Sequence, residues 1–312
     1  TTTGSTSGGI GVLPANVIFY SEFLSPTVTE VRRINPDASG DTLFISLSDL
    51  YGPVAPNPVV AGQYVFAYRP TSIANYKIYK GNSLDAGSAV NLVSSEVYEY
   101  VSSLQVTPDG SQVVFTAVRP TLTIRLCKVA IAGSANATVL DANESSMASI
   151  SPLGDKVVYS RVDGGDGDIY IRGLGATDDA TALTNNTSEE LWPQISRDGT
   201  QVVFSSDRTT PGQYDLYTIL AAGGTTIQVT NTSDRSELGA SWSPDSTTLS
   251  FASIRLSGAT ESGLFKISKS GSGLTLLKSS SAVGETTYWT GTNGKAPGRV
   301  DIARLYGRRP RR

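Results

Sequence analysis

The sequence predicts an all-β protein, a six-bladed β-propeller built from four-stranded antiparallel blades. Three observations support this prediction: a phrase that recurs at a regular spacing, a turn-forming composition inside that phrase, and a short apolar strand after each copy. The copies begin at positions 106, 150, 195 and 242, so they are 44, 45 and 47 residues apart. A period in the forties is typical of stacked units, because one such unit cannot bury its own apolar face.

The recurring phrase is an apolar residue followed by Thr/Ser-Pro-Asp-Gly or a close variant. Its copies occupy residues 106–110, 150–154, 195–199 and 242–246. Proline at the second turn position and glycine at the fourth suit a type I turn, so each phrase is predicted to join two antiparallel strands. Asp109 and Asp198 are predicted to cap these turns and to stay exposed.

Short runs of β-branched and aromatic residues supply the strands. Those that follow the phrase occupy residues 112–115, 156–159, 201–204 and 248–251. Third strands are predicted at 76–79, 124–126, 168–170, 215–217 and 264–266, and fourth strands at 182–185 and 228–231. The runs are too short for helices. Val113, Phe115, Val202 and Phe204 are predicted to pack between blades.

The ends of the chain complete the count of blades. A degenerate repeat covers residues 59–67, and residues 17–21, 29–32 and 43–46 match the second, third and fourth strands of an N-terminal blade. The missing first strand is predicted at residues 288–291, so that a C-terminal strand closes the ring. The chain is thereby divided into a flexible Gly/Ser/Thr tether at 1–12, one propeller at 13–306 and a basic tail at 307–312.

These repeats resemble those of the TolB-type β-propeller family, whose unit reads roughly Trp-Ser-Pro-Asp-Gly, an apolar strand, Ser-Asp-Arg, Asp-Ile-Tyr and Leu-Thr-Asn. The strongest matches are residues 195–231 and 242–251, and the resemblance covers residues 106–265. The chain departs from TolB because the sequence leaves no room for the small N-terminal α/β domain that TolB carries. The resemblance implies the fold and leaves the activity open, because one fold hosts many functions.

Composition favours an extracytoplasmic location: periplasmic, secreted or as a cell-surface lipoprotein. Charged residues make up 17% of the chain and the net charge is −3, which gives no electrostatic basis for nucleic-acid binding. No stretch is apolar enough to span a membrane. The N-terminal tether resembles the segment after the lipid-bearing cysteine of a bacterial lipoprotein, and an ordinary tail of a secreted protein is the alternative. Cys127, the single cysteine, is predicted to be a buried structural thiol.

The chain contains no histidine. This excludes Ser-His-Asp and Cys-His catalysis and the usual zinc sites, and leaves carboxylates as the available acids and bases. No catalytic residue and no cofactor are predicted. The carboxylates of the loop at residues 163–168 have a spacing that suits calcium, but the loop lacks the glutamate of an EF-hand and is predicted to be a polar turn.

Two sets of charged residues recur at matching positions. The arginines, just past the aromatic residue of each second strand, are Arg69, Arg119, Arg161, Arg208 and Arg255. The glutamates, shortly before each first strand, are Glu99, Glu144, Glu190, Glu237 and Glu285. In a four-stranded meander both kinds of loop emerge at one end, so the sets are predicted to surround one mouth of the channel. They are interpreted either as ion pairs that set loop geometry or as a face that binds a peptide, glycan or anion.

Three classes of function are consistent with these features. The favoured class is a non-catalytic binding or scaffold propeller whose partner is a protein or a further copy of itself. The second is a carbohydrate-active enzyme or glycan-binding protein that uses acids near the channel mouth. The third is a structural subunit of a surface layer or filament, joined through its tails or blade edges.

Overall fold

A computed structural model of the chain describes residues 16–25, 28–48, 51–70, 75–82, 87–119, 124–163, 165–175, 179–256, 262–281 and 283–289. All regular elements in these ranges are β-strands. The search for membrane-spanning helices, run over the same ranges, found none of the required length and apolarity. The predicted tether at 1–12 and basic tail at 307–312 lie outside the described residues.

The strands follow one another in short segments along the chain. The first twelve are β1 (Ile18–Ser25), β2 (Val28–Ile34), β3 (Thr42–Ser48), β4 (Tyr51–Pro56), β5 (Tyr64–Tyr68), β6 (Lys77–Gly81), β7 (Val90–Asn91), β8 (Tyr100–Val106), β9 (Gln112–Val118), β10 (Ile124–Ala130), β11 (Thr138–Asp141) and β12 (Ser145–Ile150). The next twelve are β13 (Lys156–Asp163), β14 (Asp166–Gly173), β15 (Thr181–Ala182), β16 (Glu190–Ile195), β17 (Gln201–Thr210), β18 (Gln213–Leu220), β19 (Ile227–Gln228), β20 (Arg235–Trp242), β21 (Thr248–Arg255), β22 (Gly263–Ser268), β23 (Thr275–Ser279) and β24 (Val283–Trp289).

The strands form six four-stranded antiparallel sheets, which confirms the predicted propeller. Five blades are consecutive: β4–β7, β8–β11, β12–β15, β16–β19 and β20–β23. The first blade has the order β24-β1-β2-β3, so the C-terminal strand pairs with the N-terminal one. Ile18 lies opposite Trp289 and Phe19 opposite Tyr288 in this pairing. The predicted exchange of strands between the chain ends is thus observed, and closure of the ring as a source of stability stays a prediction.

The recurring phrase forms the turn between the first and second strands of a blade. In the blade of β8 and β9, the amide of Gly110 donates to the carbonyl of Thr107 at 2.8 Å, as a type I turn requires. Gly110 then adopts a φ of 72°, which a residue without Cβ tolerates. The Thr107 hydroxyl donates to Asp109 at 2.5 Å, and exposed Asp109 accepts from the amide of Ser111 at 3.1 Å. Side-chain hydrogen bonds therefore hold this turn, which confirms the prediction that exposed Asp109 caps it.

Apolar side chains pack between neighbouring blades. Val113 and Phe115 lie in a cluster between the second and third blades, and Val202 and Phe204 lie in one between the fourth and fifth. All four are fully buried, which confirms their predicted positions. Cys127 belongs to the first of these clusters, and burial raises the pKa of its thiol to about 12. It is a structural thiol.

Lysines on third strands tie blades together across the apolar layers. Lys80 donates to the carbonyl of Ile131 in the next blade at 2.7 Å, and Lys128 donates to that of Leu174 at 2.5 Å. Lys266 of the last blade likewise donates to the carbonyl of Pro36 of the first blade at 2.6 Å. A long aliphatic stem lets lysine pack on apolar surface while its ammonium reaches a polar partner. The last blade and the first therefore use the same contact as consecutive blades.

Candidate functional site

The predicted arginine and glutamate sets lie at one end of the propeller. At this end each second strand connects to its third strand, and each blade leads to the next; we call it the loop end. The opposite end, which contains the type I turns and the connections from third to fourth strands, is the turn end. Arg208 is in β17 and Arg255 ends β21, whereas Glu190 begins β16. The meander thus brings both sets to one end, as its topology requires.

One ion pair joins a member of the arginine set to a member of the glutamate set. Arg208 contacts the carboxylate of Glu190, which is 0% exposed, and its guanidinium lies 4.4 Å from the ring centroid of Tyr217. Asn186 Nδ2 donates to Glu190 Oε1 at 2.8 Å. A buried carboxylate of this kind is tolerated only because a charge and hydrogen bonds compensate it. Arg208 therefore compensates the buried charge of Glu190 within its own blade.

Three other arginines pair with acids that the sequence analysis did not select. Arg119 lies 2.7 Å from Glu96, Arg161 lies 3.5 Å from Asp141, and Arg255 lies 3.0 Å from Asp234. Each of these acids stands three residues before a predicted glutamate, at positions 96, 141 and 234 instead of 99, 144 and 237. The acid in each of these ion pairs lies at the end of the preceding loop or strand. The predicted glutamate lies either within the first strand or exposed on the surface.

Buried tyrosines donate hydrogen bonds to two of the acids that pair with these arginines. Tyr98 donates its hydroxyl to Glu96 at 2.6 Å, and Tyr159 donates to Asp141 at 2.5 Å. Both rings are fully buried, and burial together with the carboxylate raises the pKa of each hydroxyl above its ordinary value. A buried tyrosine hydroxyl needs an acceptor. A tyrosine in a strand close to an acid was therefore the sequence signal that could have identified Glu96 and Asp141.

Aromatic rings hold the arginines from the other side. The guanidinium of Arg161 lies 4.2 Å from the ring centroid of Tyr170, and that of Arg69 lies 5.7 Å from the ring of Tyr76. A guanidinium stacked on an aromatic face gains cation–π attraction, worth about 0.5–2 kcal/mol depending on exposure. Arg161 and Arg208 are therefore each held between an acid and a ring.

Glu99 and Glu144 lie in a different environment from the buried members of the glutamate set. Both side chains are exposed at the loop end. Glu144 contributes to the fold through its backbone, because its carbonyl accepts from the amide of Val162 at 2.9 Å. Glu285 lies in β24, and its side chain is outside what the structure describes.

Glu237 forms a buried carboxyl pair with Asp215 at the junction of the fifth and sixth blades. Both residues are 1% exposed. Burial raises the pKa of Asp215, and burial together with the nearby Asp215 carboxylate raises that of Glu237 to about 8. The hydroxyls of Thr232 and Ser253 donate to Glu237 Oε1 at 3.1 and 3.2 Å. Two close carboxyls cannot both ionise readily, so the pair retains a proton near neutral pH.

The structure gives no metal site in the ranges it describes, where no three acidic or thiol side chains are grouped as ligands. The loop weighed for calcium turns the β13–β14 hairpin, with Asp163 opposite Asp166. The assignment of this loop as a polar turn, and not as a calcium site, stays a prediction.

The fold is shared with solved structures of low sequence identity. A protein assigned as TolB from Agrobacterium tumefaciens is similar with a TM-score of 0.69 at 15% identity, over 91% of this chain and 98% of that one. TolB from Acinetobacter baumannii gives 0.67 at 18% identity, over 89% and 68%. Puromycin hydrolase gives 0.59 at 16% identity, over 87% of this chain and 47% of that one.

No protein-family model matches the chain, and a search of curated protein sequences found no match. Structural similarity at sequence identities this low shows a shared fold and nothing about function. The resemblance that the repeats predicted is therefore confirmed at that level: the chain is a six-bladed propeller similar to those of TolB structures.

Proposed function

We propose that this chain is a non-catalytic binding propeller that acts outside the cytoplasm and recruits a protein partner through its loop end. The observation that carries the proposal is the fixed polar surface there, in which each repeated arginine is held by an acid or a ring. A surface whose side chains are already ordered loses little conformational freedom when a partner binds. The location outside the cytoplasm rests on the composition and on the resemblance to TolB-type repeats.

Within the predicted set, Glu99 and Glu144 are exposed at this end, where a partner would reach them. Their side chains lie on the surface, whereas Glu190 and Glu237 are buried. Exposed charges at an interface steer the encounter and select partners with the opposite charge. Of the predicted set, these two glutamates are the proposed contact residues, and the arginines are the proposed support.

The alternative is a carbohydrate-active enzyme or glycan-binding protein. The raised pKa of Glu237 favours it, because a carboxyl that is protonated near neutral pH is suited to general-acid catalysis. The burial of both Glu237 and Asp215 opposes it, because a general acid must reach the bond that it protonates. The structural role of this pair is therefore preferred.

A capture experiment separates the two candidates. The full chain is immobilised and exposed to the extracytoplasmic fraction of its source, and binding of the captured protein is then titrated. We expect the double variant Glu99→Lys/Glu144→Lys to weaken binding at least about tenfold at an unchanged melting temperature. Asp179→Lys is the matched control, because Asp179 is an exposed acid on the connection from β14 to β15 at the turn end.

Equal capture by the wild-type chain and the double variant would refute the proposed contact residues. Glycoside hydrolysis by the wild-type chain that is lost in Glu237→Gln, with the fold intact, would instead establish the alternative. A loss of binding in Asp179→Lys as large as in the double variant would place the interface elsewhere.

A further inference from the structure

The fifth and sixth blades carry matching buried glutamates in their first strands, and the two glutamates differ in their partners. Glu190 and Glu237 are 0% and 1% exposed. Each lies opposite a serine of the second strand, and an arginine follows that serine by two residues: Ser206 and Arg208 in the fifth blade, Ser253 and Arg255 in the sixth. Glu190 pairs with its arginine, whereas Glu237 forms no ion pair within the described ranges.

The two arginines are held differently. Arg208 donates from Nε to Ser206 Oγ at 3.1 Å, and its guanidinium contacts Glu190. Arg255 lies 3.0 Å from Asp234 instead. The buried Nε of Arg255 has no hydrogen-bond partner in the part of the chain that the structure describes. Because buried donors are almost always paired, Arg255 is held less completely than Arg208.

The acid that holds Arg255 comes from a longer connection between blades. Asn186 and Thr232 are equivalent, because the backbone amide of each donates to a third-strand aspartate of its own blade. Three residues separate Asn186 from Glu190, and four separate Thr232 from Glu237. Asp234 lies in this longer connection, and its side chain is 45% exposed. An ion pair with such an exposed carboxylate is weak, because water screens it.

The strands packed against β20 offer Glu237 one arginine in the position that Arg208 takes beside Glu190. These strands are β16, β17, β18, β21 and β24. Arg235, on β20 itself, lies 3.3 Å from Asp234. The charged residues of the five neighbouring strands are Glu190, Asp207, Arg208, Asp215, Arg255 and Glu285, of which Glu285 has a side chain outside what the structure describes. Since Arg208 is engaged by Glu190, Arg255 is the cation that can compensate Glu237.

We propose that Arg255 exchanges between two carboxylates: it pairs with Asp234 while Glu237 holds a proton, and moves to Glu237 when that proton is released to solvent. The exchanged state has the arrangement that Arg208 and Glu190 show. An ionised buried carboxylate requires a compensating charge, whereas the carboxylate of Asp234 returns to water at little cost.

The exchange makes the charge at the loop end sensitive to pH. Burial and the Asp215 carboxylate raise the pKa of Glu237 to about 8, so Arg255 moves as pH rises through this value. Arg255 stays charged throughout, and Asp234 is then exposed without it. The inference is independent of the proposed function, because it concerns the charge of this end and not what binds there.

Carbon-13 NMR of the Glu237 carboxyl group across the pH range in which the chain stays folded tests the proposal. Glu237→Gln identifies the signal by its loss. Asp234→Asn frees Arg255 and should lower the midpoint of the Glu237 titration by about one pH unit, as an opposite charge nearby does. Arg255→Gln removes the cation and should raise the midpoint. Arg119→Gln is the matched control, because Arg119 pairs with Glu96 at the same end of the third blade.

A double variant separates exchange from simple repulsion by Asp234. Loss of that repulsion lowers the midpoint whether or not Arg255 is present, whereas exchange requires Arg255. We therefore expect Asp234→Asn to leave the midpoint nearly unchanged in a chain that already carries Arg255→Gln.

The melting temperature of each variant at acidic pH, where Glu237 is protonated, shows that its fold is intact, and the half-exposed Asp234 is the site least able to disturb it. Equal lowering by Asp234→Asn in both backgrounds overturns the proposal. So does an unchanged midpoint in Arg255→Gln, or a shift in Arg119→Gln as large as that in Arg255→Gln.

Discussion

The ammonium of Lys278 lies 2.8 Å from Oδ2 of Asp41, and this contact ties the outer strand of the last blade to the first blade. Asp41 also accepts from the hydroxyl of Tyr20 at 2.7 Å and from Arg32 Nε at 3.1 Å. Burial acts to raise the pKa of Asp41, but the hydrogen bonds from Lys278, Tyr20 and Arg32 outweigh it and lower the pKa. One carboxylate therefore organises the junction at which the two ends of the chain meet.

Alanine substitutions at Asp41 and at Lys278 should lower the free energy of unfolding by unequal amounts. Asp41→Ala should lower the free energy of unfolding by about 1–3 kcal/mol, because it leaves the Tyr20 hydroxyl inside the junction without its acceptor. Lys278→Ala should cost at most about 1 kcal/mol, because the ammonium is 33% exposed and returns to water. Urea denaturation of the two variants measures the difference. Equal losses would show that Asp41 does not organise the junction.

Removal of β24 tests whether the C-terminal strand stabilises the whole propeller. β24 pairs with β1 and lies beside β20 and β21 of the last blade. Deletion from Gly284 onward should therefore unfold the chain cooperatively, since it exposes an inner strand edge and one face of the last blade. Deletion of residues 307–312 alone is the control. A β24 deletion with unchanged thermal stability would contradict closure by this strand.

Substitutions at Phe204 and Asp198 should lower the free energy of unfolding by different amounts, because Phe204 is buried and Asp198 is exposed. Phe204 is fully buried between blades, so Phe204→Ala should cost about 3–5 kcal/mol. Asp198 accepts from the hydroxyl of Ser196 at 2.6 Å in an exposed turn, so Asp198→Ala should cost only about 1 kcal/mol. Chemical denaturation compares the two. Similar losses would refute the assignment of the strand faces.

Replacing an arginine of this set should cost more stability where its partner acid is buried than where that acid is exposed. Arg208→Ala leaves fully buried Glu190 without its cation and should cost about 3–5 kcal/mol. Arg255→Ala should cost at most about 1 kcal/mol, because Asp234 is 45% exposed. Charge reversal at both positions together should lower the melting temperature and any partner binding together. Loss of binding at an unchanged melting temperature would show that these arginines form the recognition face themselves.

The buried Asp215–Glu237 pair predicts how stability depends on pH. An acid with a raised pKa in the folded state keeps its proton there after the unfolded chain has released it. Stability should therefore fall as pH rises from about 4.3, the ordinary value for glutamate, to about 8. The contribution of Glu237 alone to this slope is at most about 1.4 kcal/mol per pH unit.

Glu237→Gln should remove the part of this decline that Glu237 contributes, because the amide cannot ionise. Denaturation of both proteins between pH 5 and 8 measures the difference, and the absence of histidine leaves few other groups that titrate there. Parallel stability curves for the two proteins would contradict a raised pKa at Glu237.

The repeat determined the fold of this protein, and it did so through local chemistry. Thr107 and Asp109 hold their turn by hydrogen bonds within five residues, so the phrase specifies the turn wherever it occurs. Val113 and Phe115 then share one face of the strand beside that turn, because side chains two residues apart in a strand lie on the same side. The pairing of β24 with β1 was also predictable, because a fixed period makes a missing strand at one end match a surplus strand at the other.

Only the tertiary structure decided the partners of the charged residues. Arg119 pairs with Glu96 and not with Glu99, and Arg161 pairs with Asp141 and not with Glu144. The path of the backbone in each blade decides which acid lies close enough to pair. The burial of Asp215 beside Glu237 depends on two blades that meet in space. An ion pair or a raised pKa depends on distances of a few ångströms between separate segments, and sequence periodicity does not determine such distances.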